Sequence, residues 1–263
     1  MPKKKTTKKK SSRKAPVRTY TSSEKRRAKT IYNELLKLYP DAHCALIHKN
    51  PWELLVATIL SAQCTDALVN KVTPDLFNAY PTVQATAKAD LEDIRQLVNK
   101  VNFWQNKAKS IHNAAKMIVA DFNNEVPKTM EDLIKLPGVA RKTANVVLGN
   151  AFNINTGVVV DTHIARLSQR YNFTKHKDPK KIEQDLMALF PQNTWTMLAH
   201  LLIYHGRQVC KSRHGLCDQS PLCKKYCSNA KIVAAERANK TKKKASKKKA
   251  AKKKATKKKS KAK

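Results

Sequence analysis

The chain has 263 residues and a formal net charge of +35, long enough for one large domain or two small ones. No run approaches the ~20 apolar residues of a membrane-spanning helix, and the Lys-rich start lacks the apolar stretch of a secretory signal. An intracellular protein with no membrane partner is therefore expected. So large a positive charge makes a polyanion, nucleic acid first, the natural partner.

Residues 1–23 carry nine Lys/Arg and no acid, in Lys-Lys-Lys blocks spaced by Ser and Thr. Such a segment cannot bury enough apolar area to offset its ordering entropy and is read as a disordered basic tail. Helical periodicity then begins. Ser23 to Leu38 places Ile31, Leu35 and Leu36 on one side. Pro51 to Leu60 opens on a proline and is apolar enough for a core helix. Asp66 to Tyr80, Asp90 to Val98 and Asn106 to Phe122 follow after short links.

Leu133 and Leu136 close a short amphipathic helix, which Pro137-Gly138 breaks. Ala140-Arg141-Lys142-Thr143 restarts a helix that runs to Leu148. The unit is helix, tight hairpin, helix. The start of its second helix offers free backbone N–H groups, which suit a phosphate. Lys142 sits in that first turn, where the positive end of the dipole disfavours an ammonium. A lysine so placed is a candidate nucleophile. Only Gly157 to Val160 reads as a strand, and Asp161 ends that segment in Val-Val-Val-Asp-Thr-His. Asp178 to Phe190 and Trp195 to Tyr204 complete the helices, so an all-α protein is expected.

Cys210, Cys217, Cys223 and Cys227 lie within 18 residues. Four thiols this close in a reducing compartment argue for a metal rather than disulfides. A [4Fe–4S] cluster and tetrahedral zinc both take four cysteines, with His214 a stray zinc ligand. Cys44 and Cys64 read as core cysteines. Residues 231–263 carry seventeen Lys/Arg against Glu236 alone and read as a second disordered tail. The body between the tails keeps a charge of +10. Both tails read as non-specific DNA tethers.

The hairpin segment Leu136-Pro-Gly-Val-Ala-Arg-Lys-Thr-Ala144, followed by Asp161, resembles the helix-hairpin-helix motif of the endonuclease III family of DNA glycosylases. Leu60-Ser-Ala-Gln-Cys-Thr-Asp66, Asn102-Phe-Trp-Gln-Asn-Lys-Ala108 and His205-Gly-Arg207 before Cys210 resemble it too, in the family's order. Together they span about residues 24–230. The family usually has glycine where Ala140 stands. Its third and fourth cluster positions fall on Ser220 and Tyr226, with Cys223 and Cys227 nearby.

The resemblance implies a two-lobed helix-hairpin-helix glycosylase fold with a C-terminal cysteine-cluster loop. One lobe would hold 45–154, and the other 24–44 plus 155–230. It makes Lys142 the nucleophile and Asp161 its catalytic partner. It places Gln63 in the gap left by an extruded nucleotide and Phe103 as an apolar wedge; core packing is the competing reading for Phe103. Gly138, Ala140, Arg141 and Thr143 would meet the DNA backbone. The implied activity is base-excision glycosylase plus AP lyase on double-stranded DNA with oxidised pyrimidines, by a monomer. The cysteines would hold [4Fe–4S], with zinc the alternative. A pyrimidine-dimer glycosylase of the same family and a non-enzymatic, histone-like DNA binder are the competing functions. The implied location is bacterial cytoplasm and nucleoid, or the nucleus if the source is eukaryotic.

Overall fold

The computed structural model describes residues 19–213 and 215–241. The basic segments 1–18 and 242–263, and His214, lie outside the described residues. Helices follow in order: α1 (Ser22–Leu38), α2 (Pro51–Ser61), α3 (Asp66–Ala79), α4 (Val83–Lys88), α5 (Leu91–Val98), α6 (Trp104–Asp121), α7 (Met130–Leu133), α8 (Arg141–Ala151), α9 (Thr162–Arg170), α10 (Pro179–Leu189), α11 (Trp195–Gln208) and α12 (Pro221–Tyr226). Among the described residues there is no strand. The segment 157–160, expected as strand, runs alone with no neighbour to pair with, and it ends where Asp161 caps α9.

The buried apolar residues form two clusters. One runs from Leu46 to Leu148 and centres on α2, which buries Trp52 through Leu60 without a break. A helix apolar on all sides is a core helix. Truncating Leu54 or Leu55, both fully buried, would cost about 2–5 kcal/mol. The second cluster joins α1 (Ala28, Ile31, Leu35) to α9, α10, α11 and all four C-terminal cysteines. The chain crosses between the clusters at residues 42–46 and again at 148–158. The result is two lobes with a cleft between them.

Most helices open on a Thr, Asp, Asn or Ser whose side chain accepts a first-turn N–H. The helices α6, α8 and α11 lack such a bond. Residues 229–241 are helical, although the stretch from 231 is expected as tail. Ala230 is buried in the second cluster, Val233 packs against it, and Arg237 bonds the Gly215 carbonyl and pairs with Asp218. Those contacts order a stretch whose composition alone reads as tail.

Candidate active site and metal centre

The hairpin is built as its residues require. Thr129 caps α7, and Leu133 and Leu136 are buried on its inner side. Gly138 has φ +79°, and a Cβ there would meet the Ser110 Cβ at 2.7 Å, so both backbone and space demand glycine. Ala140 has φ −92° and ψ 167°, which any residue adopts. The glycine usual at this position in the resembled family is therefore not needed. Ala140 also has no side-chain acceptor, so it leaves the first-turn N–H groups of α8 uncapped.

Arg141, Lys142 and Thr143 follow in that first turn; Arg141 and Lys142 are exposed and Thr143 half-buried. Arg141 pairs with Glu183 of α10 across the lobes at 3.2 Å. Asn145 donates to the same carboxylate oxygen at 3.2 Å and accepts from the Thr156 hydroxyl at 2.7 Å. These bonds tie the start of α8 to the opposite lobe.

Asp161 arrives from that other lobe. It is the N-cap of α9, and its Oδ1 accepts from the Ile164 N–H at 2.8 Å. One carboxylate oxygen is held by the helix, and the second remains for other work. Lys142 and Asp161 line one interlobe cleft of about 170 Å³. Ser61, Asn145, His43, His200 and Tyr204 line it as well. Asp66 of α3 and Arg207 of α11 also line the cleft and pair across it. Burial pushes His200 down to about 4, so its neutral ring donates Nε2–H to the Asn150 Oδ1 at 2.7 Å. Burial also lowers His163, against the raising pull of Asp161.

Gln63 and Phe103 do not line this cleft. They sit on two neighbouring exposed loops, joined by the Asn102 side chain. Phe103 is 62% exposed, which excludes the core-packing reading. Sequence reasoning missed Asn145, although it lies one turn from Lys142 on α8 and so shares its face. It also missed the Asp66–Arg207 and Arg141–Glu183 pairs. No local signal reveals partners 141 and 42 residues apart.

The cysteines converge. The sulfurs of Cys217, Cys223 and Cys227 lie within 4.8 Å of one another, all buried. Cys210 is buried beside them, within hydrogen-bonding reach of Cys217 and Cys227. Ser220, at the family's third cluster position, caps α12 instead. That helix carries Cys223, and Cys227 is its C-cap one turn on, so the shifted spacing still delivers two thiols to one place. Arg170 donates to the Cys210 sulfur at 3.0 Å, and His205 lies 3.2 Å from the Cys223 sulfur. Hydrogen bonds from Cys210 and Cys223 draw the Cys217 thiol down to about 7, while the bonds with Cys217 push Cys210 and Cys223 up. Four buried soft donors gathered in one place fit a metal centre.

The model of the HhH-GPD superfamily base excision DNA repair proteins matches residues 56–192. Endonuclease III of Synechocystis sp. is 54% identical over 201 residues, covering 76% of this chain and 92% of the relative. Endonuclease III of Bacillus subtilis is 44% identical, covering 70% and 84%. A solved structure of a trapped endonuclease III–DNA covalent intermediate has a TM-score of 0.73 at 41% identity. It covers 79% of this chain and 97% of that one. A family model matching more than half of the chain, and relatives aligned over nearly their whole length, place this chain in the HhH-GPD superfamily, within the endonuclease III family of DNA glycosylases with AP lyase activity.

Proposed function

We propose that this chain excises oxidised pyrimidines from double-stranded DNA and cuts the strand at the resulting abasic site, acting as a monomer. The observation that carries the reading is that Lys142 and Asp161 line one cleft from opposite lobes. A single chain therefore supplies both groups. The damaged nucleotide must leave the stack before its C1′ can be reached. The lone pair of the Lys142 Nζ attacks C1′, and the glycosidic bond breaks as the base leaves and takes a proton from water. Asp161 takes up the proton that the amine sheds and stabilises positive charge developing on the sugar. Ring opening gives a Schiff base on Lys142. Loss of the 2′ proton then expels the 3′ phosphate, cutting the strand 3′ to the lesion by β-elimination. The uncapped N–H groups of α8, with Gly138, Ala140, Arg141 and Thr143 around them, hold a backbone phosphate and fix the strand.

The metal centre is read as [4Fe–4S] on Cys210, Cys217, Cys223 and Cys227, with zinc the alternative. Either group would cross-link residues 210–227 and support the lobe that carries Asp161, with no part in the bond-breaking steps.

Borohydride reduction on abasic duplex DNA tests the reading. Wild-type chain is expected to form a covalent adduct, and Lys142→Ala to form none while still binding DNA. An adduct with Lys142→Ala would make another amine the nucleophile. DNA binding with no adduct from the wild type would favour the histone-like function.

A further inference from the structure

Six non-glycine residues among those described have positive φ. Four are asparagines, which tolerate the left-handed region. The other two are Gln63, at φ 54°, and Phe103, at φ 57°. Neither side chain eases that backbone, so the surrounding structure has to hold it. The two loops carrying them are bound to each other. The Asn102 amide donates to the Gln63 carbonyl at 2.7 Å. The Lys107 ammonium donates to the Leu60 carbonyl at 2.8 Å and the Ala62 carbonyl at 2.6 Å. Lys107 lies one turn into α6, and its own N–H bonds the Phe103 carbonyl at 3.1 Å.

A lysine only 7% exposed, inserted between two helices, is costly to desolvate. Its position offsets that cost. The last carbonyls of α2 form the negative end of that helix, and Lys107 takes the place of a cap there. The same residue thus ends α2 with its side chain just before Gln63 and closes the first turn of α6 on Phe103 with its backbone N–H. Burial lowers its proton affinity.

We propose that Lys107 and Asn102 are positioning residues that clamp Gln63 and Phe103 into one rigid two-pronged wedge for extruding the damaged nucleotide. The proposal rests on the reading of Gln63 and Phe103 as the residues that enter the duplex. A wedge must be stiff because an inserted side chain bears the load of unstacked bases. Two loops strained into one geometry before contact need no ordering when they meet DNA.

The test uses a duplex with a tetrahydrofuran abasic analogue opposite 2-aminopurine, whose fluorescence rises when it is unstacked. Stopped-flow mixing with the full chain gives the extrusion rate, and anisotropy gives association. In Lys107→Met the fluorescence rise is expected to slow on the order of 10–10²-fold, the scale of a small misplacement of positioned groups. Association and helix content should stay within about twofold of wild type, because encounter is set by long-range charge. Asn102→Ala, which removes one exposed bond, is expected to slow the rise several-fold with no loss of thermal stability. This second variant decides the matter if Lys107→Met unfolds. Wild-type extrusion rates in Asn102→Ala, or slowing that only tracks loss of fold, would overturn the clamp. An unchanged rise in both Phe103→Ala and Gln63→Ala would instead overturn the wedge reading beneath it.

Discussion

Two helix starts meet at the cleft, and they are built in opposite ways. The helix α9 begins at Asp161, whose carboxylate satisfies the Ile164 N–H. The helix α8 begins at Ala140, which satisfies none of its own. A capped start gains about 1 kcal/mol over an uncapped one, so α8 forgoes stability that most other helices here collect. What α8 keeps is a set of unpaired donors at the positive end of a dipole, beside an exposed lysine. What α9 gains is a carboxylate whose direction is fixed by its own helix. On the function proposed above, the difference lets one motif serve two ends: the open start would receive an anion, and the closed start would aim an acid.

That contrast can be broken from either side. The largest expected effect is at Lys142: Lys142→Gln should leave no borohydride adduct and no base release on a gel assay, with the circular dichroism spectrum intact. At Asp161 the two jobs can be separated. Asp161→Asn keeps a good cap, so its melting temperature should stay near wild type while single-turnover base release falls by on the order of 10²–10⁴. Asp161→Ala should lose the same activity and about 1 kcal/mol of stability besides, seen as a lower denaturant midpoint. Equal stability of the two variants would mean that the cap is idle.

On the open side, Ala140→Asp should do the reverse. Its carboxylate would take an N–H of α8 and stabilise the fold by about 1 kcal/mol. It should also weaken duplex binding by about tenfold, since it occupies the phosphate's donors with a like charge. Tight binding by this variant would show that α8 does not hold a phosphate. The smallest effect on the chemistry is expected from deleting 1–18 and 242–263. Single-turnover rates at saturating enzyme should be unchanged. Binding should weaken, and the slope of log K against log salt should flatten by roughly 0.9 for each phosphate that is no longer neutralised. An unchanged slope would mean that these lysines do not touch DNA.

The all-helical composition, the long helices and the hairpin are readable along the chain. Each is a local matter: apolar residues at helical spacing, a proline at a helix start, and Pro137-Gly138 at a break. The short helices α4, α9 and α12 do not stand out along the chain, although α5, of eight residues, does. The segment 157–160 looks like a strand because β-branched residues follow one another there, yet a strand requires a partner. Residues 231–241 look like tail because lysines and alanines dominate that end. Their helix depends on where Ala230, Val233 and Arg237 land.

The sequence by itself determined the chemistry-bearing residue types and their local settings. Lys142 opens a helix, Asp161 ends a β-branched run, and four cysteines share one short segment. The tertiary structure decided which of these meet. Only the packing of two separate cores brings α8 against α11, and with it Lys142 and Asp161 to one cleft. It alone turned Phe103 outward and tied its loop to Gln63 through Lys107. Helix starts and turns are set by neighbours in sequence, where chain connectivity already supplies proximity. Contacts across a cleft must be selected by the burial of both lobes together, and no local pattern encodes that.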